Sequence, residues 1–327
     1  MDIPSSLSEP AAKRQPPAPD DMIGRLAAGD PAALAKCITL MESGGETADL
    51  IHRRICTTAG RAAVIGFTGA PGAGKSTLID AYVEALRARG QTVAIAAVDP
   101  SSPISGGAIL GDRVRMRRHS EDPGVFIRSV ASRGHLGGLS ESIHRIVDVM
   151  DVAGRDCIIL ETVGTGQSEV EVAEIADVCV VVSAPNMGDD VQAMKAGVLE
   201  IADVLVVNKA DLPLAQRTTD QLKNMLKLRQ DKQDVPIVET VATKETGIDA
   251  LSAAIDGLIK TRISDKLQSR ERRMRRLIAQ AAGRAVDESI RNATGGEINA
   301  IVKEAAAGGV GVAEAAARAL SLIRRER

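Results

Sequence analysis

Residues 62–80 read AAVIGFTGAPGAGKSTLID. Ala62 to Phe67 is an apolar run of strand length, and a helical pattern runs from Ser76 to Arg89. Between them Gly69-Ala70-Pro71-Gly72-Ala73-Gly74-Lys75-Ser76 matches G-x-x-x-x-G-K-[ST] in full, with Thr77 next in the helix. The glycines permit backbone turns that aim several N–H groups at phosphate oxygens. The helix N-terminus adds the positive end of its dipole. Lys75 is expected to reach the β- and γ-phosphates, and the Ser76 hydroxyl to ligate Mg²⁺.

Outward from this loop, six more strand-like runs follow: Thr92 to Val98, Val125 to Val130, Asp156 to Glu161, Val178 to Ser183, Val204 to Val207 and Pro236 to Thr240. Helical stretches separate most of them. Alternation of this kind predicts an α/β fold, a mostly parallel sheet covered by helices on both faces. Upstream, residues 21–60 read as an N-terminal helical segment and residues 1–20, rich in Pro, Ser and Ala, as a flexible tail. Residues 61–262 form the nucleotide domain. Residues 263–327 read as a helical C-terminal extension, punctuated by Gly295-Gly296 and Gly308-Gly309.

Composition narrows the function. The chain has 327 residues, of which 44% are apolar and 26% charged, ordinary values for a globular protein. Only 1% are aromatic, so aliphatic side chains must build the core, and stacking platforms for single-stranded nucleic acid are lacking. The net charge of −2 provides no basic field for DNA, RNA or anionic lipid. The run Arg270, Arg272, Arg273, Arg275 and Arg276 is a local exception, read as a solvated helix face or a subunit contact before a nucleic-acid site. Cys37, Cys56, Cys157 and Cys179 have no paired spacing and read as buried free thiols. No apolar run reaches membrane-spanning length, and the polar start MDIPSSLSEP is not a secretory signal. A cytoplasmic location is expected, with no nucleic-acid or membrane partner.

The apolar run Val204 to Val207 ends in Asn208-Lys209-Ala210-Asp211, an N-K-x-D sequence. The Asp211 carboxylate suits the two donors on the guanine edge, which adenine lacks, so GTP is expected over ATP. Asn208 would bind the base edge or brace the phosphate loop, and the Lys209 stem would cover the base. Val241-Ala242-Thr243-Lys244 follows the last strand, where backbone contacts to the guanine oxygen are expected from Ala242 and Thr243.

Three carboxylates are candidates for the metal and water. Asp99 ends a parallel strand on the ligand side of such sheets and would hold Mg²⁺ or its waters. Asp112, in Gly111-Asp112-Arg113, would bind the metal or orient the attacking water. Glu161 ends the run Cys157 to Leu160 and leads into Thr162-Val163-Gly164, a switch of the Asp-x-x-Gly type with Glu in place of Asp. Mg²⁺ and Lys75 would neutralise charge on the transferred phosphoryl group. No arginine finger is assigned among Arg113, Arg115 and Arg133.

The segments GFTGAPGAGKSTLID, VAIAAVDPSSPISGGAILGDRVRM, ILETVGTGQSEVEVAEIAD, GDDVQAMKAGVLEIADVLVVNKAD and VATKETGI together resemble the MeaB/ArgK-type P-loop GTPases. The resemblance is dense over residues 21–260. It implies a GTP-hydrolysing chaperone of an adenosylcobalamin-dependent acyl-CoA mutase, such as methylmalonyl-CoA mutase, that gates cofactor loading and protects or reactivates the mutase. It implies a homodimer joined through C-terminal helices. It makes Lys75, Asp112 and Glu161 the catalytic group and Ser76, Asp99, Asp112 and Glu161 the Mg²⁺ group. The loop containing Asp189, Gln192 and Lys195 resembles the family's third switch, which communicates with the mutase. A nickel-type metal-insertion GTPase is the nearest alternative, yet His52, His119, His135 and His144 are dispersed. A transport-associated kinase would need a protein-substrate site that no segment suggests.

Overall fold

A computed structural model describes residues 19–99, 117–119, 121–131, 138–162, 168–185, 199–227, 234–263, 266–293 and 296–325. Seven strands form one sheet: β1 (Ala63–Gly69), β2 (Val93–Asp99), β3 (Val125–Ala131), β4 (Cys157–Thr162), β5 (Val178–Ser183), β6 (Val204–Asn208) and β7 (Ile237–Thr240). Their order is β3-β2-β4-β1-β5-β6-β7, and every neighbouring pair is parallel. All seven match the runs expected from sequence. The strands are continuous apolar runs because both faces of a parallel sheet are covered. In β4, β5 and β6 every residue is buried.

The helices in chain order are α1 (Pro19–Ala27), α2 (Pro31–Ser43), α3 (Glu46–Ile55), α4 (Lys75–Ala88), α5 (Gly138–Val152), α6 (Ser168–Ile175), α7 (Ala215–Leu226), α8 (Ile248–Ile263), α9 (Lys266–Arg291), α10 (Gly296–Ala306) and α11 (Val312–Arg325). Capping explains where α2 begins and ends. Asp30 Oδ1 accepts from the N–H groups of Ala32 at 2.8 Å and Ala33 at 3.3 Å, Pro31 opens the first turn, and Gly44 at φ 69° closes the last.

One face of the sheet is packed by α4 and α8. Ile65, Phe67, Ile159 and Val180 meet Leu78, Tyr82, Leu251 and Ile255 there. The other face carries α5 and α6, and α7 lies over β5 and β6 on that same side. Helices α1–α3 share the α5 core: Leu26, Leu34, Ile38, Met41, Ile51 and Ile55 are buried with Ile146, Val149 and Met150. Two ion pairs border this joint, Arg128–Glu42 at 3.4 Å and Arg145–Asp49 at 2.7 Å, with a hydrogen-bond contact between His52 and Asp148 at 2.9 Å. Partly exposed contacts of this kind add about 0–1 kcal/mol each, so the apolar contact holds the joint. Beyond α8 the described residues form the helices α9, α10 and α11. Among the described residues no helix is long and apolar enough to cross a membrane. Cys37, Cys157 and Cys179 are buried free thiols, as expected, whereas Cys56 is half-buried because it caps α3 at the surface.

Candidate functional site: a phosphate loop and an N-K-x-D loop at one sheet edge

β1 sits between β4 and β5, where connections leave in opposite directions, and parallel α/β sheets bind ligands beyond the carboxyl ends of the strands at such a point. The phosphate loop rises from the end of β1. Two glycines have physical reasons to be glycine. Gly69 has φ 135°, and a Cβ there would stand 2.0 Å from Val182 O. Gly74 has φ 87°, and its Cβ would stand 2.5 Å from Asn208 Nδ2. Lys75 is buried, and its Nζ donates to the carbonyls of Gly69 at 2.8 Å and Ala70 at 3.0 Å. The ammonium is thereby held inside the loop's own curve, where a phosphate oxygen would compete for it.

Ser76 lies in the first turn of α4, and its Oγ donates to Glu161 Oε1 at 2.6 Å. Glu161 is 4% exposed. A hydroxyl and a carboxylate are hard oxygen donors of the kind Mg²⁺ takes, and Mg²⁺ usually completes its shell with water and phosphate oxygens. The pair therefore fits that ion, although no group of three His, Cys, Asp or Glu side chains among the described residues is placed to hold a metal. Asp99 closes β2 opposite Ala131; its strand position is described, its side chain is not. Asp112, Gly164, Asp189, Gln192 and Lys195 lie outside the described residues, as do Arg113, Arg115 and Arg133.

The N-K-x-D loop leaves β6 and crosses to the phosphate loop. Sequence left two roles for Asn208, and its hydrogen bonds are those of a brace. Its Nδ2 donates to Ala73 O at 2.9 Å and Gly74 O at 3.4 Å, and its Oδ1 accepts from Thr240 Oγ1 at 3.1 Å and Ala242 N at 3.2 Å. The Ala242 amide, expected near a guanine oxygen, is thus engaged by Asn208. Thr243 lies in the same short 3₁₀ turn and is exposed. Lys209 adopts φ 57°, uncommon for a residue with a side chain, and its Nζ donates to Gly72 O at 2.8 Å. Its stem consequently spans the gap between the two loops. Pro71 and Gly72 are exposed on the phosphate loop, and Thr77 is exposed in the first turn of α4.

Asp211 pairs with Lys244 Nζ at 2.9 Å. The hydrogen bond from Lys244 holds the Asp211 carboxyl below its usual range. The ammonium of Lys244 beside it favours the carboxylate form. Two residues that carry this arrangement escaped the sequence reading. Thr240 was visible only as a strand end, yet the β6–β7 register sets it beside Asn208. Lys244 was seen as part of a loop and not as the partner of Asp211.

The signature of the family described as methylmalonyl-CoA mutase-associated GTPase MeaB matches residues 34–295. The chain belongs to that family. A protein of Pyrococcus horikoshii that carries the GTPase name is 44% identical over 282 residues, covering 83% of this chain and 89% of its own. GTPase ArgK of Escherichia coli is 37% identical over 245 residues, 72% of this chain and 74% of its own. A crystal structure titled LAO/AO transport system kinase superposes with a TM-score of 0.73 at 25% identity, covering 94% of this chain and 97% of that one. The MeaB-family chain is accordingly a P-loop GTPase that binds guanine nucleotide and converts GTP and water to GDP and phosphate. The family name records an association with methylmalonyl-CoA mutase.

Proposed function

We propose that this GTPase is a chaperone of an adenosylcobalamin-dependent acyl-CoA mutase, gating cofactor loading and protecting or reactivating the mutase. The observation that carries the nucleotide half is the 2.6 Å contact between Ser76, on the phosphate loop, and Glu161, at the end of β4. It joins the residue that would sense a bound metal to the strand that leads toward a switch.

In this reading the amides of Gly69 to Ser76 wrap the phosphates, and Lys75 exchanges its loop carbonyls for β- and γ-phosphate oxygens. Ser76, with Asp99, Asp112 and Glu161, holds Mg²⁺, which when bound draws off charge from the phosphates. Asp112 and Glu161 order the attacking water. Asp211 accepts from the guanine edge, Lys209 covers the base, Asn208 keeps the phosphate loop in shape, and Ala242 and Thr243 border the base. Asp189, Gln192 and Lys195 face the mutase. Helices after residue 263 join two copies. The exposed apolar side chains of Met274, Ile278, Val302, Val312 and Leu320 support that interface. A cytoplasmic location suits such a client.

The test has two arms. Calorimetry on the pure protein with GDP or GTP and Mg²⁺ should register binding, and heat with neither would remove the nucleotide site. Capture from native extract with a non-hydrolysable GTP analogue should recover a cobalamin mutase subunit. Recovery of a hydrogenase or urease subunit would replace the chaperone reading by metal insertion.

A further inference from the structure

Side chains alternate across a strand, so neighbours in β1 and β4 face opposite sides of the sheet. Ile65 and Phe67 of β1 and Ile159 of β4 join the α4 face, whereas Val64 of β1 and Ile158 and Leu160 of β4 join the α5–α6 face. Glu161 pairs in register with Phe67, and on the α4 face it meets Ser76. Thr68 and Thr162 are the next residues of the two strands and turn to the opposite face. There Thr162 Oγ1 donates to Thr68 Oγ1 at 2.9 Å, and both residues are fully excluded from solvent.

The last two residues of β4 are therefore fastened to β1 and its loop on both faces of the sheet. The two fastenings differ in kind. Ser76–Glu161 joins groups suited to a metal, so a bound metal would compete for it. The threonine hydroxyls pair with each other on the opposite face of the sheet from the Ser76–Glu161 contact. Burial of two hydroxyls is unfavourable unless they satisfy each other, and valine would fill the same volume at lower desolvation cost. Shape alone does not call for threonine at both positions.

Resting on the assignment of Ser76 and Glu161 to the metal group, we infer that Thr68 and Thr162 are positioning residues for hydrolysis. Their hydroxyl pair is the fixed pivot that keeps Glu161 at the site while Ser76 changes partner. Neither threonine touches nucleotide, so ground-state binding should be nearly indifferent to the pair and turnover should not.

The experiment uses the full chain and the near-isosteric variants Thr162→Val, Thr68→Val, the double variant and Thr162→Ser. GTP hydrolysis is measured against Mg²⁺ concentration, and GDP affinity by calorimetry. Thr162→Val should lower kcat about tenfold and raise the Mg²⁺ requirement while GDP affinity stays within about twofold. Thr68→Val reaches the same pair from the other strand and should match it. The double variant should be no slower than either single, and Thr162→Ser, which restores the hydroxyl, should recover most of the rate. The pivot is refuted if folded Thr162→Val turns over at the wild-type rate, if Thr162→Ser is as slow as Thr162→Val, or if GDP affinity falls in step with kcat. Failure of the underlying metal assignment looks different: Ser76→Ala would keep the wild-type Mg²⁺ dependence, and the pivot would fall with it.

Discussion

Replacing Asn208 by Ala tests how the two loops hold each other. Asn208 is 2% exposed and makes four hydrogen bonds, three of them between 2.9 and 3.2 Å and one of 3.4 Å. Truncation leaves the Ala73 carbonyl, the Thr240 hydroxyl and the Ala242 N–H without that partner in a region closed to water. A neutral hydrogen bond contributes about 1 kcal/mol net, and a stranded buried group costs about 1–3 kcal/mol. Counting the three shorter bonds and allowing for relaxation, the loss should be about 2–4 kcal/mol. For a domain of this size that lowers Tm by about 4–16 °C. Urea unfolding followed by circular dichroism gives the change directly, with the slope m unchanged if the unfolded state is the same. GDP affinity should also fall at least about tenfold, because Ala73 and Gly74 lose their brace. Asn208→Asp is the control: it keeps shape and Oδ1 but turns a carboxylate oxygen toward two carbonyls, so it should be no more stable than the alanine variant. A folded Asn208→Ala protein within about 0.5 kcal/mol of wild type, with GDP affinity intact, would refute the bracing argument.

Asp211→Asn should weaken GTP by about tenfold to a hundredfold and relax selectivity toward xanthosine nucleotides, whose carbonyl suits the new amide; competition binding of the two nucleotides measures both. Burial pushes the Cys157 thiol up to about 12 and the Cys37 thiol up to about 11, and Cys179 is buried as well. A thiol reagent at pH 8 should therefore label half-buried Cys56 promptly and all four cysteines only after denaturation, with the fast phase lost in Cys56→Ser. Asp122 receives hydrogen bonds from Arg87 Nε at 2.8 Å, Arg87 Nη2 at 3.0 Å and Gly124 N–H at 2.7 Å, which lower its pKa from 3.8. A depressed carboxyl stabilises the fold fully above its unfolded pKa and loses that contribution as pH falls through the folded one. Asp122→Asn should consequently unfold more easily at pH 7 yet lose less stability on acidification from about pH 4 to pH 2.

Much of this architecture was legible in one dimension. Apolar runs of four to seven residues punctuated by helical stretches can be buried only as parallel strands, and each expected run became a strand. The G-x-x-x-x-G-K-S and N-K-x-D motifs were equally readable, because their residue types answer to ligand chemistry more than to surroundings. Helical periodicity also marked the region upstream of β1, though not that its helices share a core with α5.

Partner choice was a different matter. Sequence alone left Asn208 between two roles, and it hid Thr240, Lys244 and the Thr68–Thr162 pair, since threonine in an apolar run is ordinary strand composition. Strand order decided these. Setting β4 beside β1, and β7 beside β6, brings Thr162 to Thr68 across 94 positions and Thr240 to Asn208 across 32. The motifs were determined locally because a loop's chemistry lies within a few consecutive residues. The contacts that hold those motifs in place join residues far apart in the chain, and only the packed sheet selects among them.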